Sequence, residues 1–263
     1  MRPFATAQGD KKGVIASPSL PVILRERSDR RISLRINSAK QSQLVFGIDL
    51  TSTPSKPSAC LALDAERQPV YFGFLATDND IVAIQNFYSP RVIAIDAPLS
   101  LPRGLCCLEK SCPCQPESRE KNRKCDRELR RNGIRCYPTT KESFIKELIY
   151  RGIELKGKLS HEGFKVIEIY PYATKVRLFG KAIPGKSTKE GMAFLRQRLA
   201  ALLPSLSPYL EVFNHDLCDA ALAAYTALLC HQGRAEALGS SEEGIIFVPR
   251  SRRVDFSSPP LIE

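Results

Sequence analysis

LVFGID, residues 44–49, and VIAIDA, residues 92–97, decide the fold. Each is a short apolar run that reaches an aspartate, Asp49 in the first and Asp96 in the second. A run of this length without polar alternation reads as a strand covered on both faces, and such strands lie parallel in the middle of layered α/β sheets. If the two are neighbours, both carboxylates emerge at one carboxyl edge, where open α/β sheets place their sites.

Outward from this pair the chain reads as a mixed sheet covered by helices. Ala59–Asp64 and Val70–Ala76 read as strands joined by a turn at Glu66–Pro69, and Asp80–Tyr88 as a short helix. Thr140–Leu159, Lys189–Leu203 and Asn214–His231 carry helical patterns. KVIEIY, residues 165–170, reads as a strand stopped by Pro171, and Ile245–Val248 as a last edge strand. The folded body is expected over 44–250, with a mobile basic leader at 1–43, an irregular Cys-rich insertion at 98–138 and a tail at 251–263.

The 263 residues are 43% hydrophobic and 25% charged, which excludes wholesale disorder. The most apolar stretch, Ala220–Cys230, is 11 residues long, too short to span a bilayer. Nine cysteines without a secretory signal pattern point to a reducing, cytoplasmic setting and to thiols or metal rather than disulfides. The formal charge of +11 is concentrated in the leader and in Arg103–Arg135, the remainder being neutral. Two basic segments on a neutral body suit a polyanion, so nucleic acid is the expected partner. Within the inner segment Arg127 and Arg131 are the candidate phosphate contacts.

The third acidic element is HDLCDA, in which Asp216 and Asp219 share one helix face. Ala220, Ala223, Ala224 and Ala227 form a small-residue stripe that allows this helix to approach the sheet closely. Carboxylates crowded together need neutralising, and an all-oxygen set suits Mg²⁺ or Mn²⁺. Two such ions can clamp the attacking and leaving oxygens of a phosphodiester. Taken singly, each aspartate is equally a turn former or a helix cap.

GIDLTST (47–53), VIAIDAPLSLP (92–102), VIEIYP (166–171) and HDLCDAALAAYTA (215–227) together resemble a ribonuclease-H-fold family. The first and last pieces look like RuvC-type Holliday-junction resolvases. The whole set looks closest to the predicted nucleases called domain of unknown function 429. The resemblance implies a ribonuclease-H-like mixed sheet and a metal-dependent nuclease. It places Asp49, Asp96, Asp216 and Asp219 on the metal positions, with Asp49 bridging two ions. The resolvases carry Glu where this chain carries Asp96, one methylene shorter. Glu168 reads either as an accessory acid or as the buried partner of a basic residue. The alternatives are a nucleic-acid-binding scaffold that hydrolyses nothing and an ATPase or kinase-like relative on the same fold.

Cys106, Cys107, Cys112, Cys114, Cys125 and Cys136 fall within 31 residues. The segment has too few apolar residues to pack a core, and a metal would supply what the core does not. Zn²⁺ on thiolates, with Cys106, Cys107, Cys112, Cys114 and Cys125 as candidates, competes with an iron–sulfur cluster and with free thiols. Cys218 and Cys230 read as core residues.

GKAIPGKS, residues 180–187, matches a phosphate loop formally. The strand at 165–170 ends too early to feed it, so a chance match is expected, with Lys186 the residue to test. His161, His215 and His231 are too scattered for a zinc-hydrolase set.

Overall fold

In a computed structural model, described for residues 32–33, 43–53, 55–119 and 122–250, eight strands form one mixed sheet. In chain order they are β1 (Ile32–Ser33), β2 (Val45–Asp49), β3 (Ser58–Leu63), β4 (Pro69–Leu75), β5 (Val92–Asp96), β6 (Val166–Ile169), β7 (Ala235–Ser240) and β8 (Gly244–Pro249). The spatial order is β1-β4-β3-β2-β5-β6-β8-β7. β2, β3 and β4 form an antiparallel meander, whereas β5 runs parallel to β2, β6 to β5, and β8 to β6. This is the ribonuclease-H-like mixed sheet that the sequence motifs imply. Of the segment 1–43 only Ile32–Ser33 and Gln43 are described, and Ile32–Ser33 pairs with Tyr71 and Phe72 of β4. The tail 251–263 lies outside the described residues.

Six helices accompany the sheet among the described residues: α1 (Asp78–Tyr88), α2 (Lys124–Arg131), α3 (Lys146–His161), α4 (Pro171–Phe179), α5 (Lys189–Leu202) and α6 (His215–His231). A 3-10 helix, Pro204–Val212, joins the last two. None of the helices is long and apolar enough to cross a membrane.

The period of two along β2 distributes its side chains to opposite faces. Val45 joins Ala59, Leu61, Val92 and Ala94 beneath α5 and α6. Phe46 and Ile48 join Cys60, Ile93 and Ile95 beneath α1 and α3, where Ile81, Tyr88, Leu155 and Leu159 close the layer. Burial on both faces is why β2 and β5 are apolar throughout.

Gly47 sets the depth of α6. A Cβ at this position would fall 2.1 Å from the Ala224 backbone nitrogen and 2.2 Å from the Ala220 carbonyl oxygen. Only a strand residue without a side chain, meeting a helix face of alanines, permits that approach. The alanine stripe was legible in the sequence, whereas its glycine counterpart was not singled out.

Four features depart from the sequence expectations. Pro171 begins α4 rather than ending ordered structure, because proline's fixed φ and missing N–H suit the first helical position. The expected helix 140–159 begins only at Lys146. Ile245–Val248 belongs to β8, which is internal, and the edge is β7. Within the insertion, α2 packs Cys125 and Leu129 against Ile134, Ala173, Leu238, Ile246 and Val248.

Candidate metal centre and nucleic-acid interface

The parallel register of β2 and β5 sets Asp49 directly opposite Asp96 at their carboxyl ends. Both side chains are half-buried. Burial first, and then the nearby carboxylates of Asp96 and Asp219, hold the Asp49 carboxyl well above its usual range, against an opposing pull from Lys186. Asp96 is pushed up to about 7 by burial and by Asp219, with Lys186 and Lys175 pulling the other way. The two carboxyls therefore cannot both ionise cheaply without a further cation.

α6 brings the third acid. Asn214 caps it through its side-chain oxygen, which accepts from the Leu217 amide at 3.0 Å. Asp219, one turn inside, is buried and points to the same edge. Its Oδ1 accepts from Lys175 Nζ of α4 at 2.9 Å and its Oδ2 from Lys186 Nζ at 2.5 Å. Asp216 lies at the margin, half-buried, accepting from Asn214 Nδ2 at 3.2 Å, and its charge adds to the upward push on Asp49. The four aspartates thus share one neighbourhood, but Asp219 is already neutralised by two lysines.

Neither lysine was foreseen as part of an acidic centre. Lys175 was hidden because the chain after Pro171 did not read as helix. Lys186 drew notice only through the phosphate-loop match. That loop follows α4 rather than a strand, and Lys186 faces an aspartate.

A cleft of about 430 Å³ opens beside the acids. Asp96, Asp219, Lys175 and Lys186 line it together with Tyr137, Tyr170, Tyr172 and Phe194. At its rim Tyr137 and the exposed Phe144 form an edge-to-face pair with centroids 4.8 Å apart. Exposed aromatic rings are stacking platforms for nucleobases.

Glu168 is the buried partner of a basic residue, not an accessory acid. Arg123 donates to both Glu168 oxygens at 2.7 Å and to Asp126 at 2.8 and 3.1 Å, and all three side chains are buried. The Leu99 amide and Thr139 Oγ1 complete the shell. Burial raises the Glu168 carboxyl, and Arg123 offsets part of that rise.

The insertion residues divide. Cys106, Cys107, Cys112 and Cys114 come together, their sulfurs all within 4.8 Å of one another. The expectation for Cys125 is corrected: it is fully buried in the apolar contact of α2 with β8, since it lies on the inward face of a helix the sequence reading took for irregular chain. Cys136 also stands apart, its Sγ donating to the Asp126 carbonyl at 3.6 Å. Arg127 turns inward to the Asn122 carbonyl, Ser118 and Glu243, a poor arrangement for meeting phosphate, while Arg131 is exposed at the end of α2.

The family model described as "Protein of unknown function (DUF429)" matches residues 47–243. No curated protein matches the chain. Among solved structures the chain is similar to one titled "Thermus thermophilus RuvC structure", at 14% identity and a TM-score of 0.36, over 73% of this chain and 97% of that one. The family match contains the acidic strand ends, the cysteine insertion and the closing helix, and the chain belongs to this family of unknown function, DUF429.

Proposed function

We propose that this chain is a Mg²⁺- or Mn²⁺-dependent nuclease that hydrolyses phosphodiester bonds of a nucleic acid at the Asp49–Asp96 edge. The observation that carries the reading is the in-register pairing of these two carboxyls, both of which are raised by burial and by nearby carboxylates. Their oxygen donors and their excess negative charge fit a hard divalent ion. When bound there, such an ion supplies an activated water and offsets the charge that develops on phosphate.

The chain's own residues divide the remaining work. Asp49 and Asp96 hold the cation. Lys175 fixes Asp219 from the buried side, whereas Lys186, half-exposed, is placed to exchange Asp219 for a substrate phosphate oxygen. Asp219 and Asp216 would be the residues to hold a second cation, and Asp219 would be available for it only with Lys186 turned away. The aromatic cleft receives a base beside the scissile phosphate, and Arg131 meets backbone phosphates on the α2 side.

One observation favours a second reading. Two lysines already balance Asp219, as suits a binding protein on the same fold that hydrolyses nothing. The test is cleavage of linear and branched DNA and RNA with Mg²⁺, Mn²⁺ or chelator. Metal-dependent cleavage abolished by Asp49→Asn supports the nuclease. Binding without cleavage across the panel establishes the scaffold.

A further inference from the structure

We propose that Cys106, Cys107, Cys112 and Cys114 bind one structural Zn²⁺ through four thiolates, forming a centre separate from the acidic edge and independent of the nuclease reading.

The loop needs a staple. From Arg103 to Arg119 the one buried residue is Leu108. No helix or strand forms between β5 and α2 among the described residues. Its one apolar anchor is Leu108, and the rest are polar: the Leu108 amide donates to Tyr150 Oη at 2.6 Å, Glu109 accepts from Tyr150 Oη and Lys146 Nζ at 3.1 Å each, Lys141 donates to the Cys112 carbonyl, and Arg127 donates to Ser118. Beyond Leu108 its conformation has almost no apolar support, yet it converges four sulfurs.

The geometry selects the ion. All nine cysteines, these four among them, are free rather than bridged. The Sγ atoms of Cys106 and Cys112 are 3.5 Å apart, and all four sulfurs lie within 4.8 Å of one another. Thiolates on a tetrahedral zinc, with Zn–S bonds of about 2.3 Å, stand roughly 3.8 Å apart. An iron–sulfur cluster distributes its four cysteines over two or four irons and so spreads at least some of the sulfurs wider by an iron–iron separation. The crowding therefore matches a single ion. Soft thiolates favour zinc over the hard cations suited to the aspartates. The turn at Gly104, with φ +88°, starts the hairpin that returns Glu117 to the Arg103 carbonyl at 2.9 Å and closes the four cysteines inside one loop.

Ion binding here orders the loop rather than the sheet, because the cysteines are exposed or half-buried and outside the three apolar cores. The experiment uses the full-length chain purified under reducing conditions and reconstituted with Zn²⁺ alone, then with Co²⁺. The expected result is one zinc per chain by elemental analysis and a tetrahedral cobalt–thiolate spectrum. Cys112→Ser and Cys114→Ser abolish both with an unchanged circular dichroism spectrum, whereas Cys136→Ser retains both. Chelation of the wild type opens Arg103, Lys110 and Arg119 to trypsin while cleavage within the described helices and strands is unchanged. Reduced thiols that take up no zinc overturn the proposal. So do iron with a brown chromophore, a disulfide between Cys106 and Cys112 in anaerobically prepared protein, and equal zinc content in Cys112→Ser.

Discussion

Asp49 stands opposite Asp96 across the β2–β5 ladder, so the two carboxyls most reluctant to ionise occupy one register position of one sheet. Their repulsion is built by the backbone, since parallel strands of equal depth have no freedom to stagger the two side chains. On the proposed function, this pair is where a divalent cation would be held.

That repulsion has a measurable cost. Without divalent cation, burial and then Asp219 keep Asp96 protonated up to about pH 7, against an ordinary carboxyl value of 3.8. Between those values the folded chain binds more protons than the unfolded one, so stability falls as pH rises through the window, by ~1.4 kcal/mol for each unit of pKa difference. Asp96→Asn removes the penalty. In chelator the variant melts higher than wild type at about pH 8, and the gap closes near pH 4. Thermal melts at both pH values check this, and a gap that does not depend on pH contradicts it. Mn²⁺ stabilises the wild type and not the variant.

Gly47→Ala forces a methyl to 2.1 Å from the Ala224 nitrogen. Backbone atoms cannot yield as a side-chain tip does, so the cost lies at the upper end of overpacking, about 3 kcal/mol or more. Urea denaturation measures it. Displacing α6 also moves Asp219 away from Asp49 and Asp96, which weakens its upward push on both carboxyls.

Arg123→Met leaves Glu168 and Asp126 buried without their counter-charge. Removing one partner of a buried ion set costs about 3–5 kcal/mol. The expected outcome is a large drop in the urea midpoint. A loss of nucleic-acid binding with unchanged stability would instead make Arg123 a phosphate ligand.

Arg131 and Arg127 separate a contact from a strut. Arg131→Ala weakens binding to DNA or RNA and lowers the slope of log K against log salt by about 1. Arg127→Ala lowers stability and leaves that slope unchanged, because its guanidinium serves Asn122, Ser118 and Glu243. Fluorescence anisotropy across a salt series distinguishes the two.

Much of this was legible in advance. The continuous apolar runs of β2 and β5, each ending in an acid, disclosed a two-sided parallel centre, and the alanines of α6 disclosed its close approach. Asp49, Asp96 and Asp219 were readable because strand ends and helical spacing are local properties. Lys175, Lys186 and the Arg123–Glu168 pair were not, because a cation's partner depends on which loop returns to which edge. Residues 123 and 168 are 45 positions apart, and no period links them. Cys125 was misassigned for the related reason that composition cannot separate a helix face from a ligand loop.

The triad of Arg123, Asp126 and Glu168 couples the insertion to the sheet in an all-or-none way. Peeling α2 away would leave Glu168 of β6 without its Arg123 counter-charge, so detachment of the helix is felt in the interior of the sheet. Amide protons of α2 should therefore exchange with solvent in step with those of β6, while the cysteine hairpin ahead of them exchanges on its own clock.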